Sequence, residues 1–160
     1  MTRAFVALGG NLGDTRAILR QALDALGALP RTRLVAQSSF YRTPPWGLRD
    51  QPSFLNAAAE LETTLGPHEL LDALLDIERA AGRVRDGERW GPRTLDLDLL
   101  HMDGVTLHDD RLVLPHPRIA ERAFVLLPLA ELAPGLELPG QGRVDLLLAG
   151  CDSAGCVVEV

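Results

Sequence analysis

The first apolar run, Phe5-Val6-Ala7-Leu8, has the length of one buried strand and stops at two glycines. The turn Gly9-Gly10-Asn11-Leu12-Gly13 follows, with Asn11 placed to anchor neighbouring loops through its amide. Asp14 is a good N-cap, and Ile18, Leu19, Ala22, Leu23 and Leu26 recur on one helical face. A helix is therefore predicted to about Leu26, with Gly27 as its stop. A second strand is predicted over about residues 33–40. The prolines between Thr43 and Pro52 lack donors and restrict their neighbours, so that stretch reads as a long loop. Residues 54–62 read as a third strand. Pro67 opens a second helix that Gly82 ends. Leu70, Leu71, Leu74, Leu75 and Ile77 form its buried face, and Glu78 sits at the edge of that face with its carboxylate toward a cleft.

An arginine-rich loop over residues 83–93 leads to a strongly apolar strand, residues 95–102, interrupted by Asp96 and Asp98. Asp103-Gly104 marks a hairpin whose last strand is residues 112–114. Short helical pieces run from His116 to about Leu132, and the glycine- and proline-rich stretch after Pro134 has little pattern. Two βαβ-like units joined through hairpins, without sustained alternation of strand and helix, predict an α+β fold. An antiparallel-dominated sheet carrying helices on its faces fits best, as a single domain over residues 1–160.

Composition narrows the function. At 160 residues and 46% hydrophobic, the chain suits one core. It has no run near the roughly 20 apolar residues of a membrane span, and its first apolar run is too short for a secretory signal. The cytoplasm is the expected compartment, with no membrane partner. Cys151 and Cys156 read as two small apolar side chains. A net charge of −6 argues against a nucleic-acid partner. All 16 basic residues are arginine, which excludes Schiff-base chemistry and any lysine-dependent phosphate loop. The glycine turn at residues 9–13 also lacks the G-x-G-x-x-G spacing. If the chain handles phosphate, arginine and metal must do it.

The chemistry concentrates at Leu95-Asp96-Leu97-Asp98-Leu99. Alternation puts Asp96 and Asp98 on one strand face, about 7 Å apart, with the leucines on the other. Two magnesium ions about 4 Å apart fit between such carboxylates when phosphate oxygens complete their shells. A strand with one solvated face fits the motif equally well. The preceding arginines, Arg83, Arg85, Arg89 and Arg93, favour a site for a large anion, because guanidinium forks match phosphate oxygens. Trp90-Gly91-Pro92 within that loop is more than a solvated basic loop requires. A lone histidine such as His116, followed here by Arg118 and Arg122, is more often structural, and its reading as a phosphate ligand rests on a family resemblance. Phe54, Trp90 and Phe124 lie in or beside these segments, where ring faces could hold a flat heteroaromatic ligand, although each taken alone reads more readily as core; Asn56 shares the strand face of Phe54.

Arg89-Trp90-Gly91-Pro92-Arg93-Thr94-Leu95-Asp96-Leu97-Asp98 resembles the 6-hydroxymethyl-7,8-dihydropterin pyrophosphokinases of folate biosynthesis. The resemblance continues at Ser39-Phe40-Tyr41-Arg42-Thr43-Pro44-Pro45, Phe54-Leu55-Asn56-Ala57-Ala58 and Pro115-His116-Pro117-Arg118. Glu121-Arg122-Ala123-Phe124-Val125-Leu126 extends it, and in order and spacing it covers about Ala4 to Pro134. It implies a ferredoxin-like fold and transfer of pyrophosphate from ATP to the pterin, giving AMP. It further implies Asp96 and Asp98 as ligands of two magnesium ions, with Arg83 and Arg93 stabilising the migrating group. Arg85, Trp90, Arg93, His116 and Arg122 would bind or position ATP, and Glu78, Leu99, Arg111 and Val113 would line the nucleotide site. The pterin would lie between Phe54 and Phe124, with Thr43, Pro45, Trp46, Asn56 and Asp96 around its edges. ATP and the reduced pterin are then the partners, with the chain acting as a monomer. Two other readings compete: a metal-dependent nucleotidyl-transfer or nuclease domain, and a non-catalytic pterin- or nucleotide-binding protein.

Overall fold

A computed structural model describes residues 1–44, 52–82 and 94–159. The chain opens with strand β1 (Thr2–Gly10), helix α1 (Thr15–Gly27), strand β2 (Thr32–Gln37) and the short strand β3 (Tyr41–Thr43). Next come β4 (Phe54–Thr63), α2 (Pro67–Ala80) and β5 (Asp96–Met102). A hairpin of β6 (Leu107–His108) and β7 (Val113–Leu114) leads through a 3-10 turn, Ile119–Glu121, to α3 (Ala123–Leu132). The chain ends in β8 (Glu137–Leu138), β9 (Gly142–Arg143), α4 (Val144–Ala149) and β10 (Val157–Val158).

The main sheet is antiparallel, ordered β10-β3-β4-β1-β5, with β2 also paired to β4. The two βαβ units interleave: β4 separates β1 from β2, and β1 separates β4 from β5. This is the ferredoxin-like α+β arrangement that the sequence predicts. One apolar cluster joins Val6, Leu8, Leu97 and Leu99 to Leu19, Leu23, Leu26, Leu70 and Leu74 of α1 and α2. The other joins Phe5 and Leu100 to Ile119, Leu126 and Leu129 on the opposite face of the sheet. Asp14 caps α1, its carboxylate accepting the Ala17 N–H at 3.3 Å.

Several elements differ from expectation. Gly9 and Gly10 continue β1 rather than turning, pairing with Asn56 and Leu55. Asn11 does anchor a neighbouring segment, donating its amide to the Pro52 carbonyl at 2.9 Å. The strand predicted over residues 33–40 ends at Gln37 as β2, and a separate short strand, β3, begins at Tyr41. At the break Ser38 donates its N–H to Ala58 O and accepts the Ala58 N–H at Oγ, both at 2.9 Å. On α2, Leu70, Leu74 and Glu78 are the buried residues, while Leu71, Leu75 and Ile77 are half-buried. A bulge in the pairing of β1 with β5 leaves Leu100 between the partners of Phe5 and Val6. Leu99 and Met102 thus reach one cluster and Leu100 the other, which strict alternation would not allow.

The patternless tail after Pro134 is ordered. Leu136, Leu138 and Val144 are buried in the α3-side cluster, and Cys151 packs against it. Both cysteines are free thiols. β10 then pairs with β3, and Glu159 reaches Arg16 and Arg42. These elements are too short to carry a periodicity, and they form because the sheet edge and α3 offer surfaces to cover.

α3 is tied to the sheet at Glu131, which accepts the Ser39 N–H and the Tyr41 hydroxyl, the latter at 2.7 Å. Burial, then the bond to Glu131 and its negative charge, push the Tyr41 phenol up to about 12. Tyr41 is the only tyrosine, so the phenolate absorbance step reports it alone. That step is expected near pH 12 in the folded chain and lower in Glu131→Gln. Because the folded value lies above the ordinary one of about 10, this contribution to stability is complete below about pH 10 and is lost above it. A step at pH 10 in the folded wild type would show that the latch is not made.

Candidate active site

The pairing register brings the predicted residues together. Tyr41 on β3 pairs with Asn56 on β4, Asn56 with Gly9 on β1, and Gly9 with Asp96 on β5. Directly paired residues share a sheet face, so Asn56 and Asp96 flank Gly9 with their backbones about 10 Å apart. The next row is Ala58, Ala7 and Asp98. The floor between the carboxylates and the amide is thus glycine and alanine, a flat shelf with polar rims. Phe54 pairs with Thr43 one step further along β4, on the same face. Phe124 of α3 packs against the apolar cluster of that face, with the Arg122 guanidinium 5.8 Å from its ring centre.

Asn56 and Thr43 are both buried, and the Asn56 amide donates to Thr43 Oγ1 at 2.8 Å. That bond turns Asn56 Oδ1 toward Gly9, where an added Cβ would lie only 2.6 Å from it. Gly9 is a site residue that the sequence reading assigned to a turn. The signal that could have found it is its position at the end of an apolar strand, where a missing side chain marks a close approach.

Asp96 and Asp98 are half-buried on this face, while Leu95, Leu97 and Leu99 are buried on the other, as alternation predicts. Glu78 holds the strand between them. Its Oε2 accepts the Leu97 N–H at 2.7 Å, and the residue is 2% exposed. One oxygen of the carboxylate expected at a cleft is bonded to the backbone of β5, beneath the aspartates. Beyond Asp98, the Leu100 carbonyl accepts the His116 N–H at 2.8 Å, bringing that segment alongside. His116 Nδ1 accepts the Arg118 N–H at 3.1 Å, which leaves the ring proton on Nε2. Burial pushes the imidazole below its ordinary range. Asp98 acts against that shift, and Arg122 and Arg118 add to it.

Leu99 is buried in the core facing α1 and α2. Val113 is half-buried on β7, and Arg111 pairs with Asp72 of α2. The Arg111 pair is about half exposed, so releasing the guanidinium to a nucleotide would cost little. Arg83, Arg85, Trp90 and Arg93, like Pro45 and Trp46, lie outside the described residues.

The donor set suits magnesium. Among the described residues no three of His, Cys, Asp and Glu gather to cage a metal, leaving the two carboxylates of β5. Magnesium takes oxygen ligands, keeps several waters and commonly binds one or two carboxylates together with substrate phosphates. A half-buried aspartate pair beside a neutral histidine and arginines fits that habit.

A sequence model of the 7,8-dihydro-6-hydroxymethylpterin-pyrophosphokinase (HPPK) family matches residues 5–134. The chain belongs to this family. It is 53% identical over 155 residues to the 2-amino-4-hydroxy-6-hydroxymethyldihydropteridine pyrophosphokinase of Methylorubrum extorquens, covering 97% of each chain. The enzyme of the same name from Pseudomonas aeruginosa is 52% identical over 153 residues, covering 96% of this chain and 94% of that one. Among solved structures, the wild-type HPPK-DHPS of Plasmodium falciparum with pteroate superposes at a TM-score of 0.75. That alignment covers 93% of this chain and 44% of the other at 14% identity. This pyrophosphokinase-family chain thus spans less than half of that longer protein, and the likeness speaks for the fold alone.

Proposed function

We propose that Asp96 and Asp98 bind two magnesium ions that present ATP to 6-hydroxymethyl-7,8-dihydropterin held on the glycine-floored shelf of the sheet. The reaction is that of the family: pyrophosphate passes from ATP to the pterin hydroxymethyl group, yielding AMP, in folate biosynthesis. The observation that carries the site assignment is the row Asn56, Gly9, Asp96, which sets an amide and a carboxylate on opposite rims of a flat floor.

Bound metal would supply charge neutralisation for the phosphates, as in other phosphoryl transfers. The chain's own residues do the rest. The Asn56 amide and Asp96 carboxylate meet the polar edges of the pterin, with Thr43 fixing the orientation of Asn56. Phe54 and Phe124 cover the ring faces. Neutral His116 offers its Nε2–H to a phosphate oxygen, a donor that needs no proton from solvent. Arg122 adds a charge-assisted donor. Arg83, Arg85 and Arg93 would meet the transferred group, while Trp90, Arg111, Val113, Leu99 and Glu78 would border the nucleotide. Pro45 and Trp46 would complete the pterin pocket. The whole chain, residues 1–160, would act as one domain and a cytoplasmic monomer, on small molecules without nucleic acid. Among the described residues no helix is long and apolar enough to cross a membrane.

The decisive assay supplies ATP, magnesium and the pterin and separates AMP from ADP. Pterin-dependent AMP is the expected product. ADP would overturn the pyrophosphoryl reading, and tight binding of both ligands without turnover would favour a non-catalytic role.

A further inference from the structure

The family match ends at residue 134, yet the chain beyond it meets the site at one point. The amide of Gln141, between β8 and β9, donates to the backbone carbonyl of His116 at 2.8 Å. The His116 N–H in turn donates to the Leu100 carbonyl of β5, also at 2.8 Å. His116 is therefore clamped on both sides of its α-carbon, by the strand that carries the aspartates and by the tail.

The hairpin that presents Gln141 is itself well fixed. Gly140 and Gly142 hold the left-handed backbone with φ of 78° and 125°. The Gln141 N–H bonds to Leu138 O at 2.9 Å, and Val144 N–H to Leu136 O at 2.9 Å. Leu138 and Val144 are almost wholly buried in the cluster that contains Leu100 and Ile119. One detail separates function from stability. Gln141 Oε1 is buried with no hydrogen-bond partner among the described residues. A buried acceptor left unpaired is destabilising, so this amide is a poor choice for packing alone. The arrangement makes sense if holding the His116 carbonyl is what matters.

We infer that Gln141 is a positioning residue for the nucleotide, acting through His116, and that the C-terminal tail is part of the active site. The inference rests on the reading above that His116 contacts ATP. The tail meets β3 separately, through β10, and Gln141 takes no part in that pairing, so its effect is expected on one substrate.

The test measures binding of magnesium with α,β-methylene-ATP, whose bridge between the first two phosphates cannot be cleaved, and separately of the pterin. The full-length variants are Gln141→Met, Gln141→Ala and His116→Ala. Methionine keeps the length and removes both the donor and the unpaired oxygen. Gln141→Met is expected to bind the nucleotide analogue about three- to tenfold more weakly, with unchanged pterin affinity and a melting temperature close to the wild type, because losing the unpaired oxygen offsets losing the bond to the His116 carbonyl. Gln141→Ala should show the same binding loss with lower stability from the space it opens. Wild-type nucleotide affinity in Gln141→Met, while His116→Ala binds weakly, would overturn the inference alone. Equal weakening of both ligands would reduce Gln141 to a structural role and overturn it too. Wild-type nucleotide affinity in His116→Ala would instead remove the reading of His116 on which it stands.

Discussion

Asp98→Asn is expected to lower kcat by at least about a thousandfold while leaving the fold intact, and Asp96→Asn should act in the same direction. The substitution keeps the shape of the side chain, removes its charge and replaces one acceptor oxygen by an amide donor. Asp98 is half-buried in a row completed by Ala7 and Ala58, so little packing depends on its carboxylate. The melting temperature without ligands should stay within about 2 °C of wild type, as for most substitutions outside the core. The rise in melting temperature produced by magnesium with a nucleotide should vanish, because binding to the native state is what produces it. Turnover within tenfold of wild type in Asp98→Asn would remove the metal assignment. Loss of activity together with loss of fold would be uninformative for asparagine alone. Asp98→Glu separates the cases: it keeps the charge, displaces it by one methylene, and should retain magnesium binding with reduced kcat.

Gly9→Ala should cost both stability and pterin affinity, through one contact. The new Cβ would lie 2.6 Å from Asn56 Oδ1, and the Asn56 amide cannot swing away without breaking its bond to Thr43 Oγ1. Both partners are buried, so breaking that bond leaves polar atoms unpaired, at a cost of about 1–3 kcal/mol. For a chain of this size that lowers the melting temperature by roughly 3–10 °C. The larger effect is on function. Displacing the amide removes the rim opposite Asp96, and the KM for the pterin should rise at least about tenfold, with ATP affinity nearly unchanged. Adding Asn56→Ala should recover much of the lost stability by making room for the methyl group, but none of the pterin affinity. Unchanged pterin KM in Gly9→Ala would show that Asn56 does not read the substrate.

These two tests probe parts of the site that were unequally visible in the sequence. Asp96 and Asp98 stand out because strand alternation is strictly local: two carboxylates between three leucines define a face before any partner strand is known. Gly9 does not stand out, because its importance is a relation to Asn56, dozens of positions away. Glu78 falls between the two cases. Its place at the edge of the buried face of α2 followed from helical spacing, but its burial and its bond to Leu97 depend on how α2 packs on β5.

What the sequence determined by itself was local: the helix α1 behind its Asp14 cap, α2 between Pro67 and Gly82, the apolar strands, and the motif residues that mark the family. Propensity, capping and periodicity act over a few residues, so they can be read from the chain alone. Only the tertiary structure decided the break between β2 and β3, the bulge at Leu100, and the ordered tail that reaches His116 through Gln141. Each depends on a partner distant in sequence: the Ala58 backbone, the β1 register, the surface left open beside α3. Long-range contacts chose among conformations that the local sequence left nearly equal, and the shelf between Asn56 and Asp96 exists because of that choice.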